Sequence, residues 1–512
     1  MKISVVFSLL ILFIALLVAN NTDNKEIMIT NLEIAEKTKN LRMIADIFTD
    51  DASLVYTDSP PKYGKEAIAS FYEYLWGNTP IETVEYKNIK VVKLETQQIE
   101  TGTFVLLNVN KEEAELPFKA IFLMEEDQYK LQLLTLGEGV TLDNKTPKLL
   151  KPTGKYKVGQ STHYYPKGEQ ENNRTIAFQI WYPANPIMIE TAIYHSKAVA
   201  RASAEFLRLP IFFNSYAPLV KTNSYKNAQI NSDRKYPILL YNHGYGGFSS
   251  VYQSVFEDLA SHGYIVVSIA HENESSLFIT ENEDVIANNP ENEIFKKRAA
   301  ELNGSEINKL QDIILNSDNI DENREAYLDL IKLSPLHNES TRLWITDTKS
   351  VIEKLQKLDK ENPIFKGSFD FENIGIFGHS VGGAVAGQMA YDCAEIDAGI
   401  NLDGFQFGDL VHNKLEIPFM FVSSNQRGSS YLRANSFMQN SQSACYQAFI
   451  KGFSHSSFTD LRLFEPGGEE AISLQRELIL IFFNKYLKSQ NINMNEVVDK
   501  YPIIEITKKN IN

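Results

Sequence analysis

The pentapeptide GHSVG at positions 378–382 contains the residue best suited to nucleophilic chemistry in this chain. The apolar run 373–377 before it is typical of a buried strand, and the run 381–391 after it is typical of a helix. A serine hydroxyl attacks only when a base removes its proton, so Ser380 must stand exposed on a sharp turn. The two glycines of the pentapeptide are small enough to permit that turn. The spacing therefore predicts a nucleophile elbow.

The base that serves such a serine is a histidine that comes later in the chain. The order serine, acid, histidine is the one found in α/β-hydrolases, and of nine histidines only His412 and His455 follow Ser380. His455 follows the predicted strand 446–451 in a loop, where this fold carries its base. His412 lies in a predicted surface turn and is interpreted as a solvated histidine. We therefore predict that His455 is the general base.

The acid that orients the base is expected at the carboxyl end of a strand. Asp403 directly follows the apolar run 398–402, which places it at that end of a predicted parallel strand. The more usual position, after the predicted strand 418–423, carries no carboxylate. Asp409 is a rival, but it follows a glycine and is interpreted as a turn residue. We predict that Asp403 orients His455.

An acyl-transfer site also needs two backbone amides that stabilise the developing negative charge on the substrate oxygen. The residue after the nucleophile, Val381, provides the first amide. The second is expected from the glycine-rich segment 243–247, which follows the predicted strand 236–241, and we assign it to Tyr245. His243 in that segment is interpreted as a hydrogen-bonded histidine that shapes the loop.

No cluster of His, Cys, Asp and Glu with metal-ligand spacing accompanies these residues, so the sequence predicts neither a metal nor a cofactor. The chain has two cysteines, Cys393 and Cys445. In an exported protein they can form a disulfide, and otherwise they are two buried thiols. Both alternatives remain open at this stage.

The composition describes a globular chain that exceeds one ordinary domain: 512 residues, 43% hydrophobic and 22% charged. The formal net charge of −15 argues against nucleic acid or an anionic membrane surface as the main partner, because both require clustered Lys and Arg. Residues 1–19 combine a basic start, an apolar run and a small terminal residue, which predicts a secretory signal. We expect an exported protein, secreted or periplasmic. An uncleaved N-terminal membrane anchor is the alternative.

The pattern of elements predicts two domains. Residues 25–140 have two stretches of helical spacing followed by β-rich runs, which indicates an α+β domain. A linker rich in Pro and Lys follows over 143–159. Strands and helices then alternate over 153–490, which predicts an α/β domain with a mostly parallel sheet and helical insertions. The insertions, 191–226 and 272–338, are candidate lids.

The N-terminal segments 47–56 and 63–68 resemble the polyketide-cyclase-like and nuclear-transport-factor-like cone fold. In such cones a cavity is catalytic in some members, and the domain serves as a docking or dimerising surface in others. The resemblance therefore implies a cavity and a homodimer through this domain as one use of it. The candidates for its lining, which are also interpretable as loop caps and solvated acids, are Asp50, Asp51, Asp58 and Tyr56.

The C-terminal part resembles a known enzyme family, the platelet-activating-factor acetylhydrolases of plasma-type and bacterial origin. The resemblance spans 153–487 and implies an α/β-hydrolase fold with a calcium-independent serine esterase activity. That activity removes short acyl groups, such as acetyl, from the sn-2 position of glycerophospholipids, and a membrane surface is then a further contact. The segments that carry the resemblance are YPILLYNHGYGG at 236–247, DLASHGYIV at 258–266, IFGHSVGGA at 376–384 and GINLDG at 399–404.

The motif match gives the same roles as the reasoning from the residues. Two other functions compete with this interpretation. The first is a broader carboxylesterase or polyester-type hydrolase, but such relatives usually carry the acid after the later strand. The second is a ligand-binding protein in which the hydrolase fold is only a scaffold, which an intact triad argues against. The residues to which the resemblance assigns catalytic or oxyanion roles are Ser380, Asp403, His455, Tyr245 and Val381.

Overall fold

Two compact units make up the chain. The first, here called the N-terminal unit, consists of the residues up to Pro147 and the segment His195–Val220; the second, the hydrolase unit, consists of Lys148–Tyr194 and the residues from Lys221 onward. The predicted signal segment 1–19 lies outside the described residues, and no helix in the described part of the chain is long and apolar enough to cross a membrane. The structure, a computed structural model, describes residues 27–57, 59–168, 173–186, 191–317, 319–425 and 441–509.

The N-terminal unit is an α+β domain, as the sequence predicts. Among its described residues, six strands form one sheet in the order β2-β1-β6-β5-β4-β3, antiparallel except for the β1–β6 pair. Three helices pack on the sheet and bury an apolar core. The elements are α1 (Ile29–Lys37), α2 (Leu41–Ile47), β1 (Phe48–Tyr56), β2 (Lys62–Tyr63), α3 (Lys65–Asn78), β3 (Ile81–Lys93), β4 (Gln97–Asn108), β5 (Glu113–Glu125), β6 (Gln128–Leu136) and α4 (Leu142–Lys145).

Apolar residues at helical spacing over 27–48 predict one helix, but the structure contains two helices and the start of a strand there. Lys39 adopts a left-handed conformation with φ of 49°, which ends α1. The side chain of Asn40 then accepts a hydrogen bond from the amide of Met43 at 3.1 Å and begins α2. The run that begins at Phe48 is a strand of nine residues, which the sequence analysis did not predict.

One segment of the C-terminal sequence belongs to the N-terminal unit. His195–Val220, predicted as part of a lid over the α/β domain, contains helix α5 (Lys197–Phe206) and packs with the first unit. The ring of Phe212 meets that of Phe71 edge-on at 5.4 Å between centroids. The predicted boundaries 25–140 and 153–490 assign His195–Val220 to the second domain, whereas the structure places this segment in the N-terminal unit.

The hydrolase unit has the predicted α/β architecture with a mostly parallel sheet. Within its described residues, eleven strands follow the order β19-β18-β17-β16-β15-β11-β12-β8-β7-β10-β9. The central strands β18 to β12 in this order are parallel, and β8 and β19 pair with them antiparallel. The strands are β7 (Lys157–Tyr165), β8 (Ile176–Ala184), β9 (Thr191–Ile193), β10 (Lys221–Lys226), β11 (Tyr236–Asn242), β12 (Ile265–His271), β15 (Phe369–His379), β16 (Ala398–Leu402), β17 (Phe419–Ser423), β18 (Cys445–Ile450) and β19 (Ile504–Lys508).

The insertion 272–338 begins with a hairpin and continues as helices. Pro335 occupies the first turn of a 27-residue helix, where its missing amide hydrogen costs nothing. The elements are β13 (Leu277–Ile279), β14 (Val285–Ala287), α7 (Glu293–Glu301), α8 (Ser305–Asn316), α9 (Ile320–Lys332) and α10 (Pro335–Glu361). Elsewhere in the unit the helices are α6 (Gln253–Ser261), α11 (Val381–Asp392), α12 (Gly468–Leu487) and α13 (Asn495–Lys500).

The two cysteines are free and buried in the structure, so the disulfide alternative is not realised. Cys393 follows α11, and Cys445 is the first residue of β18. Burial raises the pKa of the Cys393 thiol to about 11 and that of Cys445 to about 12. Both side chains are therefore neutral packing groups at neutral pH.

Candidate active site

The predicted elbow is present between β15 and α11. Ser380 has φ of 57° and ψ of −120°, a strained conformation for a residue with a side chain. The flanking glycines are required by close approach of the backbone. A Cβ on Gly382 would lie 2.0 Å from the carbonyl oxygen of Asn242, and a Cβ on Gly378 would lie 2.2 Å from the carbonyl oxygen of Gly382. The nucleophile turn therefore packs directly against the end of β11.

The structure brings the three predicted triad side chains together. The Oγ of Ser380 lies 3.0 Å from Nε2 of His455, and Nδ1 of the same ring lies 2.6 Å from Oδ2 of Asp403. Because the carboxylate accepts, Nδ1 carries a hydrogen and Nε2 is left to accept the serine proton. The arrangement can therefore move a proton from Ser380 to His455.

The acid is held by a residue that the sequence analysis did not single out. Asp403 is fully buried, and its Oδ1 accepts a hydrogen bond from the amide of Ser424 at 2.7 Å. The hydroxyl of Ser424 donates to Oδ2 at 2.9 Å. Ser424 follows β17, at the position where the sequence lacked the usual carboxylate. The residue after β17 is therefore not the acid itself but holds the acid, Asp403, in place.

The loop that carries the base is fixed by hydrogen bonds on both sides. Nε2 of His379 lies 2.9 Å from the carbonyl oxygen of His455 and donates to it. Ser454 and Ser457 form a reciprocal capping box at the start of the short helix His455–Ser457. These contacts limit the motion of the imidazole relative to the elbow.

The two predicted oxyanion donors belong to segments next to the nucleophile turn. Val381 is the first residue of α11, so its amide is among the N–H groups that a helix leaves without an internal partner. Gly244 approaches the elbow closely enough that a Cβ there would lie 3.3 Å from Cβ of Ser380. The next two amides of this loop after Tyr245 are occupied, since Gly246 donates to Glu274 and Gly247 donates to Gly244.

His243 has the structural surroundings that the sequence analysis expected. Its Nδ1 donates to the carbonyl oxygen of Gly244 at 2.6 Å, and its Nε2 lies 2.7 Å from Oγ of Ser275. Burial lowers the pKa of His243 to about 3, so the ring is neutral. The neutral ring with one hydrogen fits one donated and one accepted bond, and it fixes the loop.

A buried ion pair in the insertion reaches the same loop. The main-chain carbonyl oxygen of Glu274 accepts a hydrogen bond from the amide of Gly246 at 2.9 Å. The side-chain carboxylate of Glu274 pairs with Arg298 at 2.5 Å. The indole of Trp344 donates to the second carboxylate oxygen at 2.6 Å. Both charged side chains are at least 95% buried. The insertion thus supports the loop that carries Tyr245, which sequence spacing alone did not reveal.

We expect Glu274→Gln to lower kcat by roughly 10-fold to 100-fold with little change in KM, because a misplaced oxyanion donor weakens only the transition state. The control is Glu339→Gln, which removes the exposed partner of Arg298 at 3.1 Å. It should leave kcat within about 2-fold, because the exposed Glu339 carboxylate is screened by water and Arg298 keeps its partner Glu274. Steady-state kinetics on a soluble ester checks both. Equal losses in the two variants would remove the special role of Glu274.

The alternative candidates for the acid and the base lie outside the triad. Asp409 and His412 are the first and last residues of one short 3-10 helix, and both are exposed. In the N-terminal unit, Tyr56 lines a cavity, whereas Asp50 is exposed and pairs with Lys65 at 2.5 Å. Asp58 lies outside the described residues.

The fold and site define the class of this protein as an α/β-hydrolase. Its structure is similar to that of a ferulic acid esterase from Streptomyces cinnamoneus, with a TM-score of 0.53 and 19% identity. The match covers 70% of this chain and 99% of the esterase chain. At this identity the likeness concerns the fold alone.

The family model for platelet-activating factor acetylhydrolase, isoform II, matches residues 141–473. The chain belongs to this family and is a carboxylic ester hydrolase. It is 25% identical over 357 residues to the platelet-activating factor acetylhydrolase of Bos taurus, covering 64% of this chain and 71% of that protein. It is 27% identical over 298 residues to that of Cavia porcellus, covering 52% of this chain and 61% of that protein. The resemblance inferred from the motifs is thereby confirmed.

Proposed function

We propose that the protein hydrolyses short acyl esters at the sn-2 position of glycerophospholipids, with Ser380, His455 and Asp403 as its catalytic triad. The observation that carries the proposal is the chain of two hydrogen bonds from the serine through the histidine to the buried carboxylate. The substrate class rests on family membership and on the names of the curated relatives.

The reaction begins when the Oγ of Ser380 attacks the ester carbonyl carbon while Nε2 of His455 takes the hydroxyl proton. The carbonyl oxygen becomes an oxyanion, which the amides of Tyr245 and Val381 stabilise. When the intermediate collapses, the bond to the glycerol oxygen breaks, and the imidazolium of His455 protonates the departing lysophospholipid. Asp403 keeps the hydrogen of the imidazole on Nδ1 throughout.

The second half of the reaction returns the enzyme to its starting state. A water molecule loses its proton to His455 and attacks the acyl carbon that is bonded to Ser380. A second oxyanion forms and collapses, the bond to the serine oxygen breaks, and the proton returns to Ser380. The products are the short carboxylic acid and a lysophospholipid, and no metal or cofactor takes part.

A fluorophosphonate probe tests the catalytic proposal directly. Its phosphorus should bond to Oγ of Ser380 with loss of fluoride, and mass spectrometry should find the adduct on the peptide that contains positions 378–382. Absence of labelling in a folded protein would favour a scaffold function. A substrate panel then separates the ester classes. We expect faster turnover of 2-acetyl phospholipids than of feruloyl or polyester substrates, and the opposite order would support a broader esterase.

We expect activity to survive EDTA. Within the described residues, no group of three or more His, Cys, Asp and Glu side chains is placed to hold a metal ion. The proposed oxyanion donors are backbone amides, which need no cation to act. Hydrolysis of p-nitrophenyl acetate before and after dialysis against EDTA is the measurement. A loss of activity that calcium or zinc restores would reveal a metal site that this mechanism lacks.

The proposal extends to location and assembly. The N-terminal segment 1–19 directs export or, if it is not cleaved, anchors the chain. The N-terminal unit forms a homodimer, and a membrane-surface contact uses exposed apolar side chains at the end of α5 and in the turn after it. Their exposed fractions are 55% for Leu207, 36% for Leu209 and 54% for Phe213. Sedimentation of the full chain with and without vesicles tests both the dimer and the contact.

A further inference from the structure

The N-terminal unit contains a cavity of about 210 Å³. A dry apolar cavity of about 150 Å³ is large enough to bind benzene, so this one admits a molecule with one aromatic ring and a short substituent. Three exposed charged residues, Lys37, Lys39 and Glu82, are part of its lining and mark its mouth. Five aromatic side chains line it as well: Tyr56, Phe71, Tyr72, Trp76 and Phe104.

One carboxylate in this lining is buried and only half satisfied. Glu36 on α1 is 7% exposed. Its Oε1 accepts from the hydroxyl of Tyr72 at 2.6 Å and lies 3.5 Å from that of Tyr86. Its Oε2 has no hydrogen-bond partner among the described residues. A buried acceptor without a partner is destabilising, which a ligand that donates a hydrogen bond would relieve.

No cation is among the groups that shift the pKa of Glu36, so its own carboxylate favours a cation as that ligand. The groups that face it from other elements are neutral phenols: Tyr72 on α3, Tyr86 on β3 and Tyr56 on β1. On its own helix, Glu33 adds a second negative charge that is paired with Lys37 at 2.5 Å. Burial raises the pKa of Glu36 to about 7, so a cation that enters the cavity meets a carboxyl that ionises near neutral pH.

The aromatic side chains favour the same charge. The ring of Tyr72 lies 5.4 Å from that of Trp76 and 6.1 Å from that of Phe71, and Phe71 lies 5.5 Å from Tyr56. The faces of such rings attract ammonium groups, most strongly where water is excluded. Their hydrocarbon surface also packs against the apolar part of a ligand. The cavity therefore combines an aromatic lining with one unsatisfied carboxylate oxygen.

We propose that this cavity binds a small organic ammonium ion, whose N–H donates to Oε2 of Glu36 and whose hydrocarbon part packs against the aromatic rings. This binding function is independent of ester hydrolysis, because every residue that carries it lies in the N-terminal unit. The ligand class is an amine of up to one ring, protonated at neutral pH.

The test uses the full chain and the fluorescence of Trp76, one of three tryptophans. The other two, Trp181 and Trp344, are fully buried in the hydrolase unit and give a constant background. The probes are phenethylammonium and its neutral analogue 2-phenylethanol, titrated at pH 8 with calorimetry in parallel. The ammonium should bind at least about 10-fold more tightly than the alcohol. Its affinity should fall by about 10-fold at pH 5.5, where Glu36 is protonated.

Matched variants locate the binding. Glu36→Gln keeps the shape and should weaken the ammonium by at least about 10-fold, whereas Glu82→Gln at the mouth should change its affinity by less than about 2-fold. Glu82 already pairs with Lys111 at 2.5 Å. If Glu36→Gln does not fold, Leu106→Trp provides the second test, since it fills the cavity from β4 and should abolish binding. Hydrolysis of p-nitrophenyl acetate should stay unchanged in all three.

Three results would overturn the proposal. They are no binding of phenethylammonium at millimolar concentration, equal affinity for the ammonium and the alcohol, and unchanged affinity in Glu36→Gln or Leu106→Trp. In the first case the cavity holds only water.

Discussion

Ser380→Ala should lower turnover of a short acyl ester by about 10⁶-fold while the protein keeps its fold. The substitution removes only the hydroxyl oxygen, which is the atom that lies 3.0 Å from Nε2 of His455. It retains the Cβ, so the backbone at φ of 57° bears the same strain in both proteins. Stopped assays on p-nitrophenyl acetate give the rate, and thermal unfolding checks the fold.

The matched control is Ser456→Ala, which removes the same atom from an exposed serine next to His455. Its hydroxyl contacts only the side chain of Ser454, at 3.0 Å, among the described residues. Activity within a few-fold of the parent is therefore expected. Substantial hydrolysis by a pure, folded Ser380→Ala protein would mean that another group is the nucleophile.

Asp403→Asn should lower turnover by about 10⁴-fold, because the amide favours the wrong histidine tautomer. The carboxylate oxygen at 2.6 Å from Nδ1 of His455 would become, in one orientation, an amide that donates to the ring. The main chain at position 403 has φ of 56°, a conformation that Asn adopts readily. Loss of activity should therefore come without loss of the fold.

The control for this prediction is Asp409→Asn, which makes the same change at an exposed acid in the segment after β16. It should leave turnover within about 2-fold. The reverse ranking of the two variants would transfer the orienting role to Asp409. A pH profile of kcat/KM on both proteins adds a second readout, since only the residue that contacts His455 should alter the ionisation seen in the free enzyme.

The insertion 272–338 contacts the loop that carries Tyr245. Through the ion pair of Glu274 with Arg298 and the bond from Gly246, it braces the loop that carries one proposed oxyanion donor. A buried ion pair is weak evidence for a role in stability, because removing two charges from water can cost as much as their attraction returns. We therefore interpret this pair as a positioning device for the loop.

Several features of the fold follow from local sequence. Buried parallel strands appear as short apolar runs, which is why β11, β15, β16 and β17 could be predicted. The glycines at 378 and 382 and the acid directly after 398–402 are also local signals. Strands at or near the edges of the large sheet, such as β10 and β19, were not predicted, because they are short and half exposed and lack a continuous apolar run.

The sequence by itself predicted the candidate nucleophile, base and acid and determined the class of fold, since each depends on residue type and on order along the chain. Tertiary structure alone decided that Ser424 holds Asp403, that Glu274 supports the loop of Tyr245, and that His195–Val220 packs in the N-terminal unit. The physical reason is that hydrogen-bond partners and packing surfaces are chosen across the folded molecule. Apolar periodicity specifies which face of a segment is buried, but it does not specify which distant segment buries it.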